Sequence, residues 1–294
     1  MEYRITKEEL GNDWLCRTLV ALDKCLEKYG QPLYVVGATA RDTALKLLGA
    51  EKAKRGTKDL DVAIAIDKWD TYNDIAKTLL ENNFTKDPQR KQKFYYLGEN
   101  GDMDYDVDIV PFGGVEEDEI VSWPPDGNPA MSVTCFQDIM SVADTVTVEG
   151  SVSFKMAPLF GQFLLKLDAW NDRHIGDNRD AEDLFLIADN YFMTMISLVG
   201  ENVPEAIEPY DDDTDPIVYG ARWLAYDVSK VLTDNHLHYY VNLISEELKK
   251  EESSDLITQL MSFRSSSDSY QLLCDMWSNY MSVLNNEIEE RKKS

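Results

Sequence analysis

The chain has 294 residues, 44% of them hydrophobic, and a formal net charge of −25 at pH 7. This charge argues against binding to long duplex DNA, because contact with a phosphate backbone needs a basic surface. No run approaches the roughly 20 apolar residues of a transmembrane span, and the charged N-terminus lacks the hydrophobic region of a signal peptide, so we expect a cytoplasmic protein without a membrane partner.

The first 113 residues are predicted to form a helix followed by an α/β core. Residues 1–31 have the spacing of one amphipathic helix, whose apolar face comprises Trp14, Leu15, Leu19, Leu22 and Leu26. Residues 32–49 then predict a strand, a turn at Gly37 and a second helix. Gly37 permits close approach of a ligand, and the free N–H groups at the helix start, together with the Thr39 hydroxyl, suit a phosphate. Neither GxGxxG nor GxxxxGK[ST] is present, so no Rossmann or Walker phosphate loop is predicted.

Two carboxylates open the next predicted strand. Asp59 and Asp61 stand at the start of an otherwise apolar, β-branched run that ends near residue 66, and residues i and i+2 of a strand point to the same face. Two convergent carboxylates in a largely buried sheet are costly unless a cation neutralises them, and divalent metal ions serve this purpose. The alternative interpretation is an Asp-rich turn that leads into a core strand.

A third carboxylate is predicted from residues 102–114. Their strict alternation is typical of a strand with Asp104, Asp106 and Asp108 on one face. We take this strand to lie antiparallel to the Asp59–Asp61 strand, so that directly opposed side chains have Cβ atoms about 4.5–5.5 Å apart, the scale on which three carboxylates hold metal ions. We favour Asp108, nearest the apolar end, and interpret Asp104 and Asp106 as a solvated outer face, with Asp106 as the alternative third carboxylate.

Positive charge is concentrated in two short segments that flank these strands. One comprises Lys52, Lys54, Arg55 and Lys58, and the other comprises Lys86, Arg90, Lys91 and Lys93. Each is a candidate to receive an RNA end or a triphosphate. The alternative is that they are ordinary solvated loops of an acidic protein, and for the second segment we favour that alternative.

From about residue 155 onward the pattern is helical. Lys166, Trp170 and Arg173 share the spacing of one helix face and predict a stripe of two cations and an aromatic plane that suits a nucleotide. The alternative is a Lys that reaches from the helix surface to solvent, with Asp180 and Asp183 pairing with cations on neighbouring helices. An acidic break at residues 208–216 separates this block from about three further helices without a chemical motif.

Together these segments resemble a known family, the DNA polymerase β-like nucleotidyltransferase superfamily, and within it the AbiEii/AbiGii-like abortive-infection toxins. Four motifs within residues 32–190 carry the likeness: the turn Gly37-Ala38-Thr39-Ala40-Arg41-Asp42, the pair Asp59-x-Asp61, the strand Val107-Asp108-Ile109-Val110-Pro111-Phe112-Gly113, and the helical residues 165–173 followed by 179–184. The chain departs from the family at Ala38, where many members have Ser. The resemblance then leaves Thr39 to supply the hydroxyl that contacts phosphate.

The resemblance implies a mechanism with two Mg²⁺ ions and an NTP as substrate. Asp59, Asp61 and Asp108 correspond to the metal ligands, and Asp108 to the residue near the acceptor hydroxyl. Lys166 and Asp183 correspond to further active-site residues, with Asp180 in reserve. The nucleotide contacts that it implies are Gly37, Ala38, Thr39, Arg41, Lys166 and Arg173.

We therefore expect an α+β fold with a small mixed sheet flanked by helices and an α-helical C-terminal region. The expected division is a catalytic core at residues 1–155, a helical part completing the active site at 156–208, and a helical region at 209–294. The resemblance implies transfer of an NMP to an RNA end or a protein hydroxyl, toxin-like, with a possible antitoxin partner. The alternatives are transfer to a small molecule such as an aminoglycoside, which the acidic charge favours, and a non-catalytic interaction protein of the same fold.

Overall fold

Two units make up the fold. The computed structural model describes residues 1–50, 59–98, 104–200, 202–211, 213–264 and 266–293. The first unit comprises residues 1–44 and 52–158, and the second comprises residues 45–51 and 159–294. The three-part division expected from the sequence stays a prediction.

The first unit contains two sheets. Its strands are β1 (Glu2–Ile5), β2 (Tyr34–Val36), β3 (Asp59–Ile66), β4 (Phe84–Lys86), β5 (Lys93–Leu97), β6 (Asp104–Gly113), β7 (Glu116–Glu117), β8 (Ile120–Ser122), β9 (Ala130–Ser132), β10 (Asp144–Val148) and β11 (Val152–Met156). Eight strands form one mixed sheet in the order β1-β10-β11-β2-β3-β6-β5-β4, and β7, β8 and β9 form a small antiparallel sheet.

The central strand β3 is polar only where it begins. Leu60, Val62 and Ile64 on one face are fully buried, and Ala63 on the other face is fully buried as well. A strand covered on both faces is apolar along its length. The carboxylates at the start of β3 therefore lie where the cover on one face ends.

Helices pack on this sheet in the first unit. They are α1 (Lys7–Leu10), α2 (Asp13–Glu27), α3 (Gly37–Leu47), which continues into the second unit, α4 (Trp69–Leu80) and α5 (Phe136–Ser141); α2, α4 and α5 contact strands of the large sheet. Leu15, Leu19, Leu22 and Leu26 are buried on α2, as their spacing predicts.

The prediction of a single helix over residues 1–31 is wrong at its start. Residues 2–5 form β1, which pairs in parallel with β10, and Gly11 ends the short helix α1 with a φ of 78°. A new helix then begins after Asn12, whose side chain accepts a hydrogen bond from the Leu15 backbone N–H. The strand forms because it pairs with β10, which lies about 140 residues further along the chain. A local sequence pattern does not reveal so distant a partner.

The second unit is helical from residue 159 onward. Its helices are α6 (Leu159–Arg173), α7 (Arg179–Val199), α8 (Pro216–Ser229), α9 (Asp234–Lys249), α10 (Asp255–Met261) and α11 (Ser269–Arg291), with a 3₁₀ helix at Glu251–Ser253. Its core contains the buried side chains of Trp170, Tyr191, Trp223, Tyr240, Trp277 and Tyr280. Of the helices in the described part of the chain, none is both long and apolar enough to cross a membrane. The mixed sheet, its flanking helices and the helical C-terminal region confirm the predicted fold class.

Candidate active site

The large sheet brings the predicted carboxylates side by side. β3 pairs with β6 so that Asp59 lies opposite Asp106 and Asp61 lies opposite Asp108. Paired residues of neighbouring strands share a face, so all four carboxylates project from the same side of the sheet. The predicted antiparallel arrangement is wrong, because β3 and β6 run parallel. The parallel register nevertheless brings Asp108 beside Asp61.

The Gly37 turn lies directly against Asp61. Gly37 has a φ of +67°, and a Cβ built on it would lie 2.0 Å from Oδ2 of Asp61 and 2.8 Å from its Cγ. No side chain fits in that space, and the backbone conformation itself disfavours residues other than glycine. Gly37 therefore lets the Asp61 carboxylate lie against the start of α3.

Thr39 connects the turn to β3, and Arg41 is buried one helical step further on. The Thr39 hydroxyl donates to the backbone carbonyl of Asp59 at 3.1 Å and is buried, which fixes the start of β3 relative to α3. The Arg41 side chain is buried too, and its Nε donates to Oδ1 of Asp42 at 2.8 Å. The predicted contacts of Ala38, Thr39 and Arg41 with a nucleotide stay predictions.

A lysine that the sequence did not connect with the carboxylates lies among them. Lys93 begins β5 opposite Asp108, and its Nζ lies 2.8 Å from Oδ2 of Asp106 and 3.4 Å from Oδ2 of Asp108. The Lys93 side chain is only 7% exposed. Asp106 is therefore ion-paired with Lys93, although its side chain remains 39% exposed; the side chain of Asp104 lies outside the described part.

The Asp108 carboxyl has an unusual environment. Burial raises its pKa, the nearby Lys93 ammonium opposes that shift, and the negative charge of Asp59 adds to it. Oδ1 of Asp108 is buried and, within the described part of the chain, has no hydrogen-bond partner. A carboxylate with a raised pKa and one unsatisfied oxygen is suited to accept a proton or to face a cation.

The donor set fits a hard divalent cation, although its side chains are not gathered around one. Carboxylate oxygens are the ligands that Mg²⁺ prefers, and the unsatisfied Oδ1 of Asp108 gives the face an uncompensated acceptor. Within the described ranges, however, no three His, Cys, Asp or Glu side chains are arranged to hold a metal ion. The carboxylates whose chemistry suits such an ion are those of Asp59, Asp61 and Asp108, but their positions do not surround one.

The rest of the second basic segment is largely paired within the first unit. Arg90 Nη2 lies 2.8 Å from Oδ2 of Asp87, and Lys91 pairs with Asp126. Lys86 Nζ lies over the rings of Tyr72 and Phe94, at 5.8 and 5.4 Å from their centroids. Carboxylates and aromatic rings of the first unit thus pair with much of the positive charge of this segment. The first basic segment, with Lys52, Lys54, Arg55 and Lys58, lies outside the described residues.

The remaining predicted residues form a separate cluster in the second unit. Lys166 Nζ lies 3.0 Å from Oδ1 of Asp180 and 2.6 Å from Oδ2 of Asp183, and Arg173 Nε lies 2.7 Å from Oδ2 of Asp180. Burial opposes ionisation of Asp180, but Arg173 and Lys166 together lower its pKa. The expected alternative, in which these aspartates pair with neighbouring cations, describes this arrangement.

The prediction that Trp170 presents its ring to a nucleotide is wrong. Trp170 is fully buried, its Nε1 donates to Oε1 of Gln259 at 3.0 Å, and its ring stacks on His174 with 4.3 Å between centroids. The helical spacing with Lys166 and Arg173 is real, but α10, which carries Gln259, covers the aromatic position. A covering helix so distant in sequence leaves no sign in the local pattern.

Comparison with known proteins gives only loose similarities. No family model matches the chain, and no curated protein does. An antigenic nucleotidyltransferase-like protein from Paracoccidioides brasiliensis is 15% identical, with 76% of this chain and 90% of the other covered and a TM-score of 0.41. A candidate nucleotidyltransferase from H. pylori is 12% identical, with 98% of each chain covered and a TM-score of 0.34. The Thermotoga maritima CCA-adding enzyme complexed with tRNA is 13% identical, with 99% and 73% covered and a TM-score of 0.31. Scores this low carry no conclusion about function.

Proposed function

We propose that this chain is a nucleotidyltransferase that moves an NMP from an NTP to an acceptor hydroxyl. The observation that carries the proposal is the contact of Asp61 with Gly37, with Asp108 in register beside Asp61 on the next strand. This arrangement joins a glycine turn at a helix start to three carboxylates on one sheet face. It is the combination that a triphosphate and its counter-ions require.

In the proposed reaction, the acceptor oxygen forms a bond to the α-phosphorus as the bond between that phosphorus and the bridging oxygen breaks. Pyrophosphate leaves with the electron pair of the broken bond, and the hydroxyl proton passes to a base. We assign Asp108 as that base, since it lies in register beside Asp61 on the same face and its buried Oδ1 has no hydrogen-bond partner within the described residues. Phosphoryl-type transfer otherwise asks mainly for positioning and charge neutralisation.

Asp59 and Asp61 are the proposed ligands of Mg²⁺, with Asp108 facing the same ion. Bound Mg²⁺ would neutralise phosphate charge and lower the pKa of the acceptor hydroxyl. The protein contributes the fixed positions of the carboxylates: Thr39 holds the backbone at Asp59, and Gly37 leaves room for Asp61. The start of α3 offers backbone N–H groups to phosphate oxygens.

The roles proposed for the second unit rest on the resemblance alone. Lys166 and Asp183 would be active-site residues, and Lys166 and Arg173 would contact the triphosphate. In the structure their charges are paired with Asp180 and with one another. A contact with nucleotide would therefore require Lys166 or Arg173 to exchange a carboxylate for a phosphate.

The acceptor class that we propose is macromolecular, an RNA end or a protein hydroxyl, as in the toxin-like members of the superfamily. The support is the order and spacing of the four motifs. A small cationic acceptor such as an aminoglycoside is the second candidate, because a chain with a net charge of −25 attracts cations. A protein that kept this fold without chemistry would have no need of Asp59, Asp61 and Asp108 on one face.

The test is Mg²⁺-dependent transfer of label from each of four α-labelled NTPs to total RNA, cell lysate protein and an aminoglycoside panel. Wild type is compared with Asp61→Asn and with Asp74→Asn, a matched control on the exposed side of α4. We expect labelling of RNA or protein by wild type and by Asp74→Asn, with a loss of at least roughly 100-fold in Asp61→Asn. Labelling confined to aminoglycosides would select the second candidate, and no labelling by any protein would contradict the proposal.

A further inference from the structure

A buried lysine joins two carboxylates on this face of the sheet. Lys93 Nζ lies 2.8 Å from Oδ2 of Asp106, the more exposed of the two, and donates to Oδ2 of Asp108 at 3.4 Å. Burying an ammonium is costly unless carboxylates compensate it with close contacts. Asp106 therefore helps to keep the Lys93 ammonium beside Asp108.

The strand holds Lys93 in place as well. β5 is paired with β4 on one side and with β6 on the other. The Lys93 backbone N–H donates to the carbonyl of Arg90 at 3.1 Å, and the Lys93 carbonyl accepts a hydrogen bond from the Asp87 N–H at 3.0 Å. The Tyr95 ring lies with its centroid 6.0 Å from Nζ. The ammonium therefore extends from a fixed backbone into an enclosed position.

The orientation of the Asp108 carboxylate depends on this ammonium. Oδ2 accepts the hydrogen bond from Lys93, whereas Oδ1 is buried and, among the residues that the structure describes, has no hydrogen-bond partner. The last torsion of an aspartate side chain is broad and roughly two-fold. One hydrogen bond therefore decides how the carboxylate plane is turned and which oxygen is left to accept a proton.

We propose that Lys93 is a positioning residue, which turns the Asp108 carboxylate toward the proton of the acceptor hydroxyl. This inference rests on the proposed function, in which Asp108 is the base. The proton passes to the carboxylate, and the electron pair of the O–H bond stays on the oxygen that bonds to the α-phosphorus as pyrophosphate leaves. A base must lie within hydrogen-bond reach of the proton that it takes. A misdirected Asp108 should therefore slow the transfer step without weakening the binding of NTP.

Steady-state kinetics of α-label transfer to the acceptor that labels best test this role, with circular dichroism to check folding. Wild type is compared with Lys93→Met, Lys93→Arg and Lys77→Met, a matched control on the exposed side of α4. We expect Lys93→Met to lower kcat at least about tenfold, part of the 10²–10⁴-fold that a general base contributes, with KM for the NTP within about twofold. Lys93→Arg keeps a donor and should lose less, and Lys77→Met should match wild type.

A double-mutant cycle shows whether Lys93 acts through Asp108. In an Asp108→Asn background, Lys93→Met should lower kcat by less than about a further twofold, because no carboxylate remains to be turned. If Lys93→Met does not fold, Asp106→Asn is added to it, which removes one carboxylate together with the ammonium and leaves the net charge unchanged. The kcat of that double variant should lie at least about tenfold below that of Asp106→Asn alone.

The outcomes separate the inference from the function on which it rests. Equal kcat with and without the Lys93 ammonium, or a loss from Lys93→Met that is as large in the Asp108→Asn background, would overturn the inference and leave nucleotidyl transfer intact. A higher KM with unchanged kcat would also overturn it, since Lys93 would then act in substrate binding. Absence of transfer by wild type would overturn the proposed function, and the inference with it.

Discussion

Replacing Gly37 by alanine should damage the site mainly through a clash between the new Cβ and the Asp61 side chain. The added Cβ would lie 2.0 Å from Oδ2, 2.8 Å from Cγ and 2.9 Å from Cβ of Asp61. These distances are far below van der Waals contact, so Asp61 or the turn must move. The backbone of Gly37, with φ of +67°, adds a second penalty that does not depend on Asp61.

Gly30 separates the two penalties. It has nearly the same φ, +64°, but a Cβ built on it meets no atom within 4 Å. The left-handed conformation costs an alanine roughly 1–2 kcal/mol, and this is the loss expected for Gly30→Ala. Overpacking adds about 1–3 kcal/mol. Gly37→Ala should therefore lose about 2–5 kcal/mol in free energy of unfolding, with the excess over Gly30→Ala attributable to Asp61.

The assay is urea unfolding followed by circular dichroism, together with label transfer at saturating NTP. Because the chain has two units, transitions are compared by two probes before a free energy is assigned. We expect Gly30→Ala to retain activity and Gly37→Ala to lose about 100-fold, the cost of displacing a positioning group by about 1 Å. Equal stability and equal activity in the two variants would refute the inference that Gly37 makes room for Asp61.

Three further outcomes are expected. Burial raises the pKa of Asp227 to about 6, against the opposing hydrogen bond from a tyrosine. The contribution of the protonated carboxyl to the free energy of unfolding is therefore fully present below pH 4 and is lost as the pH rises through 6. Relative to wild type, Asp227→Asn should gain about 3 kcal/mol in free energy of unfolding between pH 4 and 7, and parallel pH profiles would contradict this. Lys166→Met removes the ammonium that pairs with the buried Asp180 and Asp183, and should lower the free energy of unfolding, measured in urea, by about 3–5 kcal/mol. Lys166→Arg keeps the charge and should lower it less. Equal losses in the two variants would show that charge is not the cause. If the toxin-like role holds, expression of wild type slows host growth and expression of Asp61→Asn does not, so equal growth at equal protein levels argues against that role.

Local pattern was enough to predict the carboxylate strands. The start of β3 shows its two aspartates in a period of two followed by apolar residues, and β6 shows strict alternation. Both signals are carried by neighbours in sequence, and the sheet places Asp61 beside Asp108. Strand direction is a different matter. It depends on how connections cross the sheet, and the predicted antiparallel pairing was wrong for that reason.

Long-range partners explain what the sequence did not reveal. In the sequence, Lys93 is one of several cations in a basic segment. The pairing of β5 with β6 places it opposite Asp108. Trp170 looks like part of an exposed stripe until α10 covers it. The strand at Glu2–Ile5 needs β10 as its partner. In each case the decisive contact joins residues that are distant along the chain, or that belong to separate strands.

The most direct test of nucleotidyl transfer uses two labels on one NTP. Wild type and Asp61→Asn are incubated with Mg²⁺, the acceptor that labels best, and the same NTP carrying label at either the α- or the γ-phosphate. We predict that wild type transfers the α-label to the acceptor and releases the γ-label as pyrophosphate, and that Asp61→Asn does neither. Transfer of the γ-label to the acceptor, or α-label transfer that is equal in the two proteins, would contradict the assignment of this face as a nucleotidyltransferase site.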